Sequence, residues 1–289
     1  MSLELLFYLD NSKKLLYISG YMEPLRQLEA TVTPLPRGGY LVNSPEGYIQ
    51  FGSPPETIKD TMALPNSVPG IFVLPRAMFD WRKGINLADL EFPMYYNFFL
   101  QHKKTRVICT RGQAARFMKA LQEALFGPKE LHLEGDVVDA DGGTYVPALR
   151  SEMNYFRGKI RFRDVLELSL FEKGEFSTGK VRISIDKNGD FEVFFGGKKT
   201  AHIPGVIPCK PMYQIGQRLP EPYKPPLFGV TCLGPSHGFD PTANTSGYII
   251  WLNHAGIMID PPINSTEWLE SSNVNPKLID SIILTHCHA

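Results

Sequence analysis

Short alternating stretches of apolar and polar residues dominate this chain, and one segment carries a sustained helical period. LLFYLDNSKKLLYISG (5–20) is two apolar runs around Asp10-Asn11-Ser12, which predicts a hairpin. GYLVNSPEGYIQFG (39–52) predicts two more short strands. The SPPETIKDTM that follows predicts a helix, with Ser53 as N-cap, Pro54 at the first helical position and Glu56 closing a capping box. TRVIC (105–109) reads as a strand, and Thr110 with Gln113 forms a second capping box opening RGQAARFMKALQEALFG. There Phe117, Leu121 and Leu125 recur on one helical face, and Gly127-Pro128 stops the helix. From about residue 156 the pattern is one of strands. VRISIDKNGDFEVFF alternates on both sides of Lys187-Asn188-Gly189, a hairpin signal in which Asn-Gly supplies the positive φ angles.

Composition then changes. Prolines 204, 208, 211, 220, 222, 225 and 226 crowd the stretch from 203 to 226, which excludes a central strand or helix interior and predicts an extended connector. The chain divides on this reading into a mixed α/β domain over 1–202, a Pro-rich connector over 203–226 and a second domain from 227 to 289. No internal repeat is evident. Beyond the connector come FGVTCLG, a turn-rich loop PSHGFDPTANTSG, and the paired apolar runs of YIIWLNHAGIMIDPP around the tight turn Asn253-His254-Ala255-Gly256. Asn264 caps a helix with Glu267 at its third position, Asn275-Pro276 restarts a short turn, and SIILT is the next strand.

The 30 basic and 30 acidic residues cancel, so net charge does not point to nucleic acid or an anionic membrane. No apolar run is long enough to cross a bilayer, and the N-terminus lacks the basic start of a secretion signal. The four cysteines, at 109, 209, 232 and 287, form no C-x-x-C pair, which suits a reducing cytoplasm and argues against a zinc ribbon or a disulfide framework.

The final strand runs directly into Thr285-His286-Cys287-His288. Alternate residues of an extended segment point to one side, so His286 and His288 present two imidazoles to one metal while Cys287 points away. Together with Thr245-Ser246-Gly247 and the IMIDPP strand ending at Asp260, residues 228 to 289 resemble the opening of a metallo-β-lactamase-fold domain, broken inside its T-H-x-H-x-D-H motif. The resemblance implies an α+β chain: a mixed α/β N-terminal domain followed by the first strands and helix of an αβ/βα sandwich. It implies two divalent metal ions, zinc first and manganese or iron as alternatives, with His286 and His288 as ligands. Asp260 is expected to be buried at a strand end and to hydrogen-bond backbone or orient a ligand histidine, a simple turn-former before Pro261 being the plainer reading. The implied reaction is hydrolysis of an ester-type bond by water activated at the metal. The opening resembles the phosphodiester-cleaving branches, with thioester or lactone hydrolysis, or a non-catalytic binding module, as alternatives. Two histidines make an incomplete site, so the expectation is an inactive fragment of a longer protein, or one completed from elsewhere. A homo-oligomer is a further possible state, with a small-molecule or phosphodiester substrate as partner.

Other residues have plainer readings. His237 and Asp240, in GPSHGFDP, are candidates for the substrate rim, but the reading as loop turn residues comes first. LEFPMYYNFFLQHKK reads as core before it reads as a base-stacking surface with Lys103, Lys104 and Arg106 beside it. DKNGD lacks the glycine position and the distal Glu of a calcium loop and is a hairpin turn.

Overall fold

The computed structural model describes residues 32–64, 68–76, 89–126, 160–207 and 217–285. The expected hairpin at 5–20, the Gly127-Pro128 stop, Cys209, and His286, Cys287 and His288 lie outside these residues.

The chain is α+β, built on three sheets. The first has six strands in chain order: β1 (Val32–Pro34), β2 (Tyr40–Ser44), β3 (Gly47–Phe51), β4 (Ile71–Val73), β5 (Thr105–Cys109) and β6 (Leu166–Leu170). β1 to β3 pair antiparallel, and β3 to β6 pair parallel. Helices α1 (Ile58–Thr61), α2 (Glu91–Tyr95, continuing as a π turn over Tyr96–Leu100), α3 (Arg111–Phe126) and α4 (Phe162–Val165) connect the strands after β3. The second sheet is an antiparallel meander of β7 (Glu175–Thr178), β8 (Val181–Ile185), β9 (Phe191–Phe195) and β10 (Lys198–Ile203). Val42, Ile49 and Phe51 of the first sheet share one core with Val181, Ile183, Phe191 and Val193 of the second. Phe51 packs on Phe191 at 5.4 Å between ring centroids. Apolar residues of β2 and β3 bury against the alternating inward residues of β8 and β9, which produces a two-sheet sandwich.

The third sheet comprises β11 (Phe228–Gly234), β12 (Gly247–Leu252), β13 (Ala255–Ile259) and β14 (Ile279–Ile283), with helix α5 (Ser265–Ser271) and a 3-10 turn (Pro276–Leu278) between the last two. Ile249, Trp251, Met258 and Val274 form its core, joined by Trp268, Leu269 and Tyr223. The proline-rich segment from 217 to 226 runs along this unit. Leu219 N–H donates to Ser271 O (2.7 Å), and the Tyr223 ring lies 5.5 Å from Trp251.

The structure corrects the expectation of no internal repeat. β1-β2-β3-α1-β4 and β11-β12-β13-α5-β14 have the same order and the same antiparallel, antiparallel, parallel pairing. The stretch from Gly39 to Thr57 matches Gly247 to Ser265 without an insertion, although only Gly39/Gly247, Tyr40/Tyr248, Ile49/Ile257 and Pro54/Pro262 are identical. Tyr40 pairs Phe51 as Tyr248 pairs Ile259, and Phe51 pairs Val73 as Ile259 pairs Ile283. Gly52 and Asp260 both have positive φ, at 77° and 43°. Gly52 N–H donates to Val73 O (2.9 Å) and Asp260 N–H to Ile283 O (3.0 Å). The Thr57 and Ser265 hydroxyls each donate back to a proline carbonyl, Pro54 O at 2.9 Å and Pro262 O at 2.7 Å.

Two expected caps take other forms. Glu56 adopts φ 66° and α1 begins at Ile58, so Ser53 and Glu56 form no capping box; the Ser53 hydroxyl donates to Asp89 O instead. Asn264 stands at the α5 N-cap position, yet its side chain makes no capping bond. The Thr110–Gln113 box forms as expected: Thr110 N–H donates to Gln113 Oε1 (2.9 Å) and Gln113 N–H to Thr110 Oγ1 (3.4 Å). In the Lys187-Asn188-Gly189 hairpin, Gly189 takes positive φ and Asn188 does not.

Candidate metal centre

β14 carries the chain to Thr285, and Asp260 at the end of the parallel neighbour β13 receives it. Thr285 N–H donates to Asp260 Oδ1 (2.8 Å), and the Thr285 hydroxyl donates to Oδ2. One carboxylate thus closes both donors of the residue preceding His286, with each oxygen assigned a partner. Asp260 meets the geometric requirement through its left-handed backbone, a conformation that Asp tolerates better than most residues. Gly247 lies directly behind it. A Cβ there would stand 2.5 Å from both Asp260 O and Pro262 Cδ, so only glycine permits this approach.

His286 and His288 themselves lie outside the described residues. The donor chemistry fits a divalent ion: two imidazoles one residue apart, at the end of a strand whose last step is clasped by a carboxylate.

The other two expected residues share the loop between β11 and β12. Asp240 folds this loop. Ser236 Oγ donates to its Oδ2, while Thr242 N–H (2.8 Å) and Thr242 Oγ1 (2.6 Å) donate to its Oδ1. The hydrogen bonds from Ser236 and Thr242 pull the Asp240 carboxyl down to about 2. His237 is exposed, and its Nδ1 accepts from Phe239 N–H at 3.2 Å. Turn formation thus accounts for the contacts of both.

The loop rests on a cluster of charged residues from the first unit. Lys59 Nζ donates to Ala243 O (2.9 Å) and pairs with Glu56 Oε1 (3.2 Å). Arg37 Nη2 donates to Pro241 O (3.0 Å), while its Nη1 pairs with Asp60 Oδ1. Glu56 Oε1 accepts from the hydroxyl and the N–H of Thr245. Arg37, Lys59 and Asp60 are all buried. Burial lowers the Lys59 ammonium below its ordinary value against the opposing pull of Glu56. Burial raises the Asp60 carboxyl despite the Arg37 guanidinium beside it. Phe92 of α2 packs edge to face on Phe239 at 5.6 Å, which puts this member of the aromatic segment at the contact between units. Sequence reasoning missed this cluster. Glu56 carried a capping signature, and Lys59 sat in an ordinary-looking helix.

One further set of ligand-type side chains occurs among the described residues. Asp186, Asp190 and His202 bring their ligand atoms within 4.8 Å of one another on the second sheet. The Asp186 Oδ1 accepts from Asn188 and Asp190 N–H, Asp190 Oδ1 accepts from Gly205 N–H, and His202 Nε2 lies 3.4 Å from Asp190 Oδ2. Turn closure and a histidine–aspartate pair account for the arrangement. Cys109 is buried, which pushes its thiol up to about 12, and Cys232 is an exposed free thiol.

No protein-family model matches the chain. It is 28% identical over 391 residues to the "cGMP-dependent 3',5'-cGMP phosphodiesterase A" of Dictyostelium discoideum, covering 90% of this chain and 45% of the relative. It is 28% identical over 311 residues to the "cAMP/cGMP-dependent 3',5'-cAMP/cGMP phosphodiesterase B" of the same organism, covering 83% of this chain and 27% of that protein. The chain therefore spans less than half the length of either relative. A metallo-β-lactamase of Cronobacter sakazakii, described by its HARLDQ motif, aligns with 60% of this chain and 59% of its own at 14% identity and a TM-score of 0.30. By its Thr-Ser-Gly turn, its Asp260 clasp and its terminal His-x-His, the segment from Phe228 onward resembles the opening of a metallo-β-lactamase-fold domain, in a chain similar over most of its length to two cyclic-nucleotide phosphodiesterases.

Proposed function

We propose that this chain is the site-bearing part of a metal-dependent phosphodiesterase acting on a cyclic nucleotide or a similar small phosphodiester. The observation that carries the reading is the Asp260 clasp on Thr285, which fixes the backbone immediately before His286-x-His288. The names of the two relatives favour phosphodiester over thioester or lactone.

A divalent ion held there, zinc in this reading, supplies Lewis acidity and brings the pKa of water near neutrality. The chain's own residues supply the geometry. His286 and His288 would hold the ion, and Asp260 fixes the strand end that precedes them in the chain. The protein is read as cytoplasmic and as two domains joined by the proline-rich stretch. Among the described residues, no helix is long and apolar enough to cross a membrane.

The test is hydrolysis by the full-length protein, loaded with zinc or manganese, of cyclic GMP, cyclic AMP, bis(p-nitrophenyl) phosphate and a thioester. Phosphodiester turnover abolished by His286→Ala is expected. Thioester cleavage without phosphodiester cleavage overturns the reading.

A further inference from the structure

The end of the first unit that corresponds to the Asp260 end of the second contacts the β11–β12 loop. In the second unit this end carries Asp260 and Thr285, and His286 is the next residue in sequence. In the first, Gly52 stands in the place of Asp260, Pro75 in that of Thr285 and Arg76 in that of His286. Glycine has no carboxylate and proline no N–H, so the clasp cannot form there. What the first unit carries there is a charged cluster of buried Arg37, Lys59 and Asp60 with half-buried Glu56.

That cluster grips the β11–β12 loop at three successive points: Arg37 at Pro241, Lys59 at Ala243 and Glu56 at Thr245. The connection between β1 and β2, Leu35 to Gly39, is the counterpart of the longer loop from Pro235 to Ser246, so the second unit has extended this connection onto the first. Beyond Thr245 the contacts continue without a gap. Gly247 abuts Asp260 O, and Asp260 holds Thr285. Desolvating such charges is a poor route to stability, since apolar residues of similar size do as well. The arrangement gains a defined position for the loop.

We propose that the first unit is a metal-free copy of the second, and that its corresponding end serves as an internal clamp, with Glu56 as the residue that positions the Thr245-Ser246-Gly247 turn and, through Asp260, the Thr285 step into the metal centre. The part concerning the metal rests on the function proposed above; the clamp itself does not.

The experiment uses the full-length protein and reads amide exchange and zinc affinity, the latter by chelator competition. Glu56→Ala and Thr245→Val each raise exchange over 236–247 and 283–285 and weaken zinc binding by about tenfold, the effect of losing roughly one hydrogen-bonded contact. The double variant is no worse than either single one, and Glu56→Gln, which keeps an acceptor for Thr245, recovers most of the effect. Glu175→Gln, on the exposed β7, changes neither readout. Should Glu56→Ala fail to fold, Thr245→Val carries the test from the loop side. Raised exchange confined to α1 and β3, with 236–247 and 283–285 unmoved, overturns the clamp. Coupled exchange in a protein that hydrolyses no phosphodiester upholds the clamp and overturns the proposed function.

Discussion

Asp240 and Lys59 show how a single charge in this protein serves the position of a loop. The Asp240 carboxyl is held at about 2 by Ser236 and Thr242, below the value near 3.9 of an unfolded Asp. A depressed carboxylate stabilises the folded loop above the unfolded value, and that stability is lost as pH falls through the folded one. Acidification from about pH 4 to 2 is therefore expected to loosen residues 236–246, read as rising amide exchange, and Asp240→Asn should remove the pH dependence. Lys59 acts in the opposite sense. Its side chain is fully buried against Glu56 and Ala243 O, so Lys59→Met leaves Glu56 without its nearest cation. Losing a charge-assisted hydrogen bond costs about 1.5–3 kcal/mol, which chemical denaturation would register. Asp240 as a turn residue was legible in the sequence; the roles of Glu56 and Lys59 were not. Glu56 satisfied the spacing of a capping box, but its backbone turned left-handed and its carboxylate went to Thr245, a residue far along the chain.

At the scale of elements, the β13–α5–β14 unit depends on glycine as much as on its apolar strands. Gly247→Ala would drive a Cβ into Asp260 O and Pro262 Cδ, both at 2.5 Å, with backbone or ring on either side and no flexible end to yield. A stability loss of about 2 kcal/mol is expected. A fall in zinc affinity should accompany it, since the displaced Asp260 backbone carries the Thr285 clasp; unchanged affinity with lowered stability would separate the two roles. Elements with strong local signals were readable. The α3 capping box and the buried face of Phe117 and Leu121 followed from spacing alone. The α5 cap was not, because Asn264 is buried with its side-chain amide unpartnered among the described residues rather than turned onto the helix end.

At the scale of the whole molecule, the two units differ in what covers them. Val42, Ile49 and Phe51 are buried beneath the second sheet. On the corresponding face of the third sheet, Phe228 is 73% exposed, Val230 60% and Leu252 45%. Each such side chain forgoes about 1.5–3 kcal/mol of burial, and a continuous apolar face of this kind favours association. The 289-residue chain is expected to elute above its 32.5 kDa mass and to bind a hydrophobic dye, with Phe228→Glu and Val230→Glu reducing both. Monomeric behaviour without dye binding would count against an exposed face in solution.

Local sequence determined whatever depends on neighbours along the chain. It specified the strand periods, the α3 cap, the hairpin at Gly189 and the His-x-His placed just past a strand. Tertiary structure decided what depends on register and long-range pairing. It set Asp260 against Thr285, joined a capping-type glutamate to a remote threonine, and revealed the repeat behind four shared residues. The physical reason is that pairing register and left-handed backbone positions are preserved by hydrogen bonds and close glycine contacts. Many side chains satisfy these equally well, so the architecture recurs where the letters do not.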